Sequence, residues 1–233
     1  MITQFELIFG IAAAAITFLV SLYIILKQVA KINPRFVLPL FLVLTVWFVL
    51  IFILGANRVF RPEKPSPLPV GLAIFLPVIL GSFVLIKSES LQKVLLNIPH
   101  EIWTVLHIAR YVGSLFIWFH LNGKLPPTFA FTAGLGDSFV ATLAPLVLLA
   151  IKRDKNKNPT RILWIFNLLG ILDFTTAVTL GTLSSDGPQR LIFETPTSSL
   201  IGDLPLILIP GFGVPFIALV HVISIMKLRR GLP

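Results

Sequence analysis

The chain has 233 residues, of which 56% are hydrophobic and only 12% charged, with a formal net charge of +9. Soluble globular domains carry about a quarter of their residues as charges, so this composition excludes an ordinary soluble domain and leaves a helical protein of the bilayer. The absence of cysteine removes disulfides, thiolate nucleophiles, iron–sulfur ligation and thiolate zinc sites from consideration.

A membrane-spanning helix needs about 20 predominantly apolar residues, and the first such stretch is 5–26. The leading MITQFE lacks the basic region of a secretory signal peptide, so a retained helix is expected. Gly10 and Ala14 stand four apart in it, a spacing that admits another helix closely, although alanine is common in such helices for its own sake. A short basic turn, KQVAKINPR, leads to a second span at 36–54. The next segment, GANRVFRPEKPSP, holds three prolines and four charges and is unfit for lipid. A third span follows at 68–86. In KSESLQKVLLNIP, Leu91, Val94, Leu95 and Ile98 fall at i, i+3, i+4 and i+7, with Ser88 placed to cap a helix and Pro99 to end it. A short helix near 88–98 is therefore expected in the interface plane.

The fourth span, 101–121, reads EIWTVLHIARYVGSLFIWFHL, with Arg110 at its midpoint and His107 one turn earlier. A charge at the bilayer centre costs from about 3 kcal/mol on insertion scales to about 10 in simulations of an isolated helix. Such an arginine must face protein or water and find a partner. A fifth span at 129–151 is expected to be interrupted in its first half by Gly134, Gly136 and Asp137. KRDKNKNPT then reads as a solvated or headgroup-facing turn. The sixth span, 161–183, contains Asn167 and Asp173, and the polar SSDGPQRLIFETPTSSLIGD after it is long enough for a small lid. The seventh, 204–226, carries Pro205, Pro210 and Pro215 around Gly211-Phe212-Gly213 and is expected to bend or break near its middle. The fold class is thus all-α: one polytopic bundle of seven transmembrane helices filling residues 1–233, without a detectable internal repeat.

Basic residues orient such a bundle, because cytoplasmic loops carry an excess of lysine and arginine. With the N-terminus outside, the inner loops and tail hold thirteen: Lys27, Lys31, Arg35, Lys87, Lys93, Lys152, Arg153, Lys155, Lys157, Arg161, Lys227, Arg229 and Arg230. The outer segments hold five: Arg58, Arg61, Lys64, Lys124 and Arg190. The expected topology is N-out and C-in. Net charge then follows from topology, and no nucleic-acid partner is implied.

At about 1.5 Å per residue, Arg110, Asp137 and Asp173 fall near the midplane of their spans, with His107 and His221 at one depth on the cytoplasmic side. Trp103, His107, Arg110 and Ser114 follow i, i+4, i+7 and i+11 and so share a face of an α-helix, while His120 points elsewhere near the outer surface. One buried cation, two acids and two imidazoles can compensate one another only if the fourth to seventh helices surround a common interior. Such residues either form a structural ion pair that fixes helix packing or a polar functional site. The second acid exceeds what pairing with one arginine requires.

The runs RYVG from Arg110, LPPTFA from Leu125, AGLGD ending at Asp137, NLLGILD from Asn167 and LPLILIPGFGVP from Leu204 also carry a likeness. Over roughly residues 110–221 the chain resembles a family of small, uncharacterised bacterial multi-pass membrane proteins. The resemblance implies an inner-membrane setting and no activity or functional residue.

Nothing in the sequence points to an enzyme: HExxH, GxSxG and P-loop motifs are missing. Lys227, the only lysine of the seventh span, sits at its cytoplasmic end, wrong for a retinal Schiff base. The favoured expectation is transport of a small solute, or proton-coupled transport, through a polar site between helices four to seven built on Arg110, Asp137, Asp173, His107, His221 and Asn167. One alternative is a b-type haem protein with His107 and His221 as axial ligands. Another is a structural or sensory bundle with a purely structural ion pair. The implied partners are the lipid bilayer and a small solute or proton.

The orientation has a direct check. Because the chain has no cysteine, single cysteines report cleanly. A membrane-impermeant maleimide added outside should label one placed in 188–200 and spare one placed in 152–158. The reverse pattern would invert the topology.

Overall fold

The computed structural model describes residues 2–153 and 160–232, which are entirely helical or irregular, with no strand among them. Lys155 and Lys157 of the basic turn lie outside the described residues. Among the described residues, seven helices are long and apolar enough to cross a membrane, which is the pattern of a membrane protein. In chain order the helices are α1 (Gln4–Ile32), α2 (Val37–Ala56), α3 (Leu68–Lys87), the short α4 (Glu89–Leu95), α5 (His100–Leu106), α6 (Ser114–Leu121), α7 (Pro127–Arg153), α8 (Thr160–Leu183) and α9 (Val214–Arg229). A 3₁₀ segment, His107–Gly113, joins α5 to α6 and completes the fourth long helix.

Local signals in the sequence explain the ends. Thr3 and Glu6 form a reciprocal capping box at the start of α1. The Ser88 side chain accepts from Leu91 N–H and starts α4. The end of the α4 segment is closed by Lys227, whose buried Nζ donates to the carbonyls of Leu96 and Ile98 at 2.8 and 2.7 Å. Glu194 reaches from the 184–203 segment to the start of α7, accepting from Thr128 N–H and Thr128 Oγ1. At the same end of the bundle, Arg61 of the α2–α3 loop is ion-paired with Asp203. These polar contacts tie the loops there into one cover.

The last long helix is the axis of the packing. Of its apolar window 61% is buried, against 11% for the second and third long helices. Phe212, Phe216, Val220 and Ile223 of this segment sit in one core with Phe18, Leu22 and Ile25 of α1 and Trp103 and Leu106 of α5. Gly10 lies against Pro205, so closely that a Cβ there would overlap the proline ring. Gly10 thus admits a turn of the chain, while Ala14 sits in one core with Ile51 of α2 and Ala73 of α3.

Three expectations need correction. The fifth long helix is not interrupted: α7 runs unbroken from Pro127 to Arg153, because its glycines keep helical geometry and serve close approach instead. The seventh does not break in its middle. It starts at Ile209 with a π-helical turn, Ile209–Gly213, in which Val214 N–H bonds Ile209 O five residues back. Pro210 and Pro215 both fall in this first region, where a missing N–H is tolerated. Leu206 and Ile207, assigned to that span by hydropathy, form a fully buried turn before it.

The third correction concerns the fourth span. Its centre is 3₁₀, with three residues per turn. The face shared by His107 and Arg110 therefore continues to Gly113, which is buried, and not to Ser114, which is exposed. An i, i+3, i+6 spacing replaces the α-helical one.

Candidate functional site

The 3₁₀ segment presents Arg110 to two neighbouring helices at once. Arg110 Nε donates to Asp137 Oδ1 of α7 at 2.9 Å, and its Nη2 is paired with Asp173 Oδ2 of α8. Nη1 lies 3.4 Å from the carbonyl oxygen of Gly170, also on α8. The arginine side chain is 5% exposed, the two carboxylates 14% and 11%. One guanidinium thus faces two acids, and the formal charge of the three groups together is −1.

Glycine makes this convergence possible. A Cβ at Gly136 would coincide with the Asp173 carboxylate, and one at Gly113 with the Asp137 carboxylate. Both positions are seats for an acid from the neighbouring helix. The 3₁₀ pitch matters for the same reason, since it stacks Gly113 in line with Arg110 and leaves room for Asp137 beside it.

A second polar group adjoins the first. Asn167 Nδ2 donates to Leu163 O at 2.7 Å and to Ser224 Oγ at 2.9 Å, so its Oδ1 is the acceptor facing His221 Nδ1 at 2.8 Å. In the neutral ring this fixes the proton on Nδ1 and leaves the Nε2 lone pair toward Gly170, whose missing Cβ makes space for it. His221 is 2% exposed, and its Nε2 has no hydrogen-bond partner among the described residues. The His107 ring stands 4.4 Å from the His221 ring, centroid to centroid, and edge-on to Phe166 at 4.9 Å.

These groups border a cavity of about 500 Å³. Arg110, Asp137, Asp173 and His221 line it, together with phenylalanines that include Phe18, Phe116, Phe129, Phe174, Phe212 and Phe216. It extends to Arg61, Glu63 and Asp186 in the loops at one end of the bundle. An apolar chamber with a few convergent polar groups has the usual form of a small-molecule site.

The structure brings all six sequence-predicted residues together: Arg110, Asp137 and Asp173 in one ion cluster, and His107, His221 and Asn167 beside it. The haem reading does not fit. Two imidazoles on one iron put their nitrogens about 4 Å apart with the rings directed away from each other, which sets the centroids roughly 6 Å apart. A 4.4 Å centroid separation puts the rings in contact and leaves no width for a macrocycle. Gly113, Gly170 and Ser224 belong to the site without being singled out by the sequence, and Gly136, expected to interrupt a helix, instead seats Asp173. The spacing of three between His107, Arg110 and Gly113 was the available signal for the first of them.

Residues 67–229, more than half of the chain, match the family model described as a domain of unknown function (DUF8737). No curated protein and no solved structure is matched. The match spans every residue of the cluster and the histidine pair.

The charge count gives an ordering of stabilities. Arg110→Ala leaves two buried acids without a cation and should cost about 3–5 kcal/mol, read as a lower Tm in detergent. Asp173→Asn keeps one arginine against one aspartate and should cost less. Adding Asp173→Asn to Arg110→Ala should recover part of the loss; strictly additive losses would mean that the two side chains do not interact.

Proposed function

We propose that this chain, which belongs to the DUF8737 family of unknown function, is a multi-pass plasma-membrane carrier in which the Arg110–Asp137–Asp173 cluster couples proton binding to passage of a small solute. In this reading the bundle spans the membrane seven times, N-terminus out and C-terminus in, as the distribution of basic residues supports. The observation that carries it is the second aspartate: one guanidinium balances one acid, and the remaining negative charge borders a cavity.

The chemistry follows from that excess. A proton on either carboxylate brings the cluster to zero net charge and weakens one of its two links to Arg110. Asp137 is on α7 and Asp173 on α8, so each protonation loosens a different helix contact. A change of charge is thereby linked to a change of packing, which is what a carrier requires of its coupling site. His107 and His221 supply imidazole nitrogens beside the cluster, on the side away from the 57–67 and 184–203 loops. Imidazole is suited to pass a proton because one ring nitrogen can accept while the other donates.

A proton-flux measurement tests the reading. Proteoliposomes of the full chain with a trapped pH dye should dissipate an imposed pH gradient faster than empty liposomes. Asp137→Asn, Asp173→Asn and His221→Phe should return the rate toward that of empty liposomes, whereas His120→Phe, remote from the cluster, should leave it unchanged. Gradient dissipation by Asp173→Asn at the wild-type rate would reduce the cluster to a packing device.

A further inference from the structure

We infer that the solute accepted by this site is a lipophilic cation, such as a protonated amine or onium ion with an apolar body, and that it enters from the side of the bundle between α3 and α8. The inference rests on the carrier reading above and names its substrate class.

Charge and wall chemistry point the same way. The polar end of the cavity holds Arg110, Asp137 and Asp173 with a summed formal charge of −1, and His221 adds a buried Nε2 lone pair with no partner among the described residues. An anion would meet two carboxylates for one guanidinium and gains nothing there. A cation restores neutrality and is attracted to aromatic faces as well as to the acids. Most of the remaining wall is apolar, with phenylalanine and aliphatic side chains beside the hydroxyls of Thr17, Ser21, Thr182, Ser185 and Ser199, and such a wall suits an apolar body. The other charged groups on the cavity, Arg61, Glu63 and Asp186, lie at its loop end and total −1 as well.

The route is suggested by the rim. Helices α3 and α8 both pack on α9, and the cavity reaches Phe75 and Val78 of α3 and Ile171, Phe174 and Val178 of α8. Phe75 is 47% exposed and Ile171 36% exposed, so these two cavity-lining residues also reach the outer surface on this flank. An amphiphile already dissolved in the bilayer can pass such a flank without crossing water. Proton and cation then compete for one charge deficit: when the cation binds, the proton on the carboxylate leaves to solvent, and the site carries either one or the other.

Tetraphenylphosphonium and tetraphenylborate, which share a shape and differ in sign, separate charge from hydrophobicity. In equilibrium dialysis with the full chain in a non-ionic detergent, tetraphenylphosphonium should bind saturably, release protons on binding and bind more weakly as pH falls. Tetraphenylborate should not compete with it. Asp173→Asn and, independently, Asp137→Asn should each weaken binding by about tenfold or more. Val78→Trp, which fills the rim and leaves the cluster intact, should also weaken it. Equal binding of tetraphenylborate, or unchanged affinity in both aspartate variants, would overturn the inference. If tetraphenylphosphonium does not bind while proton flux persists and falls in Asp173→Asn, the substrate class is wrong and the coupling site stands. Loss of both observations removes both.

Discussion

A guanidinium held away from water must be answered by acids, and the architecture around Arg110 follows from that demand. The fourth, fifth and sixth long helices converge because Asp137 and Asp173 reach the same side chain. Convergence at that distance requires backbone without side chains where the carboxylates sit, hence Gly113 and Gly136. It also requires a pitch that keeps His107, Arg110 and Gly113 in register, hence three residues per turn from His107 to Gly113. Breaking a buried ion pair is far more costly than never having built one. The cluster is therefore weak evidence of a need for stability and better evidence of a need for charge at that place.

The neighbouring histidines belong to the same design. Asn167 holds His221 by Nδ1, Ser224 and the Leu163 carbonyl hold Asn167, and Gly170 gives both His221 and Arg110 access to the surface of α8. Ring contact between His107 and His221 leaves no room for a haem between them but sets two imidazoles side by side next to the acids. Charge, proton acceptor and cavity thus lie within a few side chains of one another. None of the long helices carries this arrangement alone, since its members come from the fourth to the seventh.

Much of this was legible in the sequence. Hydropathy alone delimits seven long helices, and Ser88 marks the start of α4 because a serine cap is a local signal. An arginine in mid-span announces that acids must meet it, and only Asp137 and Asp173 lie at its depth. The misreadings share one cause, which is that apolar composition reports environment and not backbone geometry. An α-helical period puts Ser114 on the arginine face, whereas the chain tightens there. Gly134 and Gly136 look like an interruption, yet glycine in a packed helix serves equally to admit a neighbour. Leu204 to Leu208 are apolar enough for a span, but Pro205, Leu206 and Ile207 form a buried turn with Pro205 against Gly10 of α1. The cavity itself, built from phenylalanines on several helices, has no one-dimensional signature.

The central claim is that the second aspartate gives the cluster a charge that a proton can balance. Infrared difference spectroscopy of the full chain in lipid, taken between a high and a low pH, observes the carboxylic C=O stretch directly. The account predicts a band gained on acidification that shifts or shrinks in Asp137→Asn and in Asp173→Asn and vanishes when both are replaced. A band that survives the double replacement, or no carboxylic band in the wild type at any pH at which the protein stays folded, would contradict it.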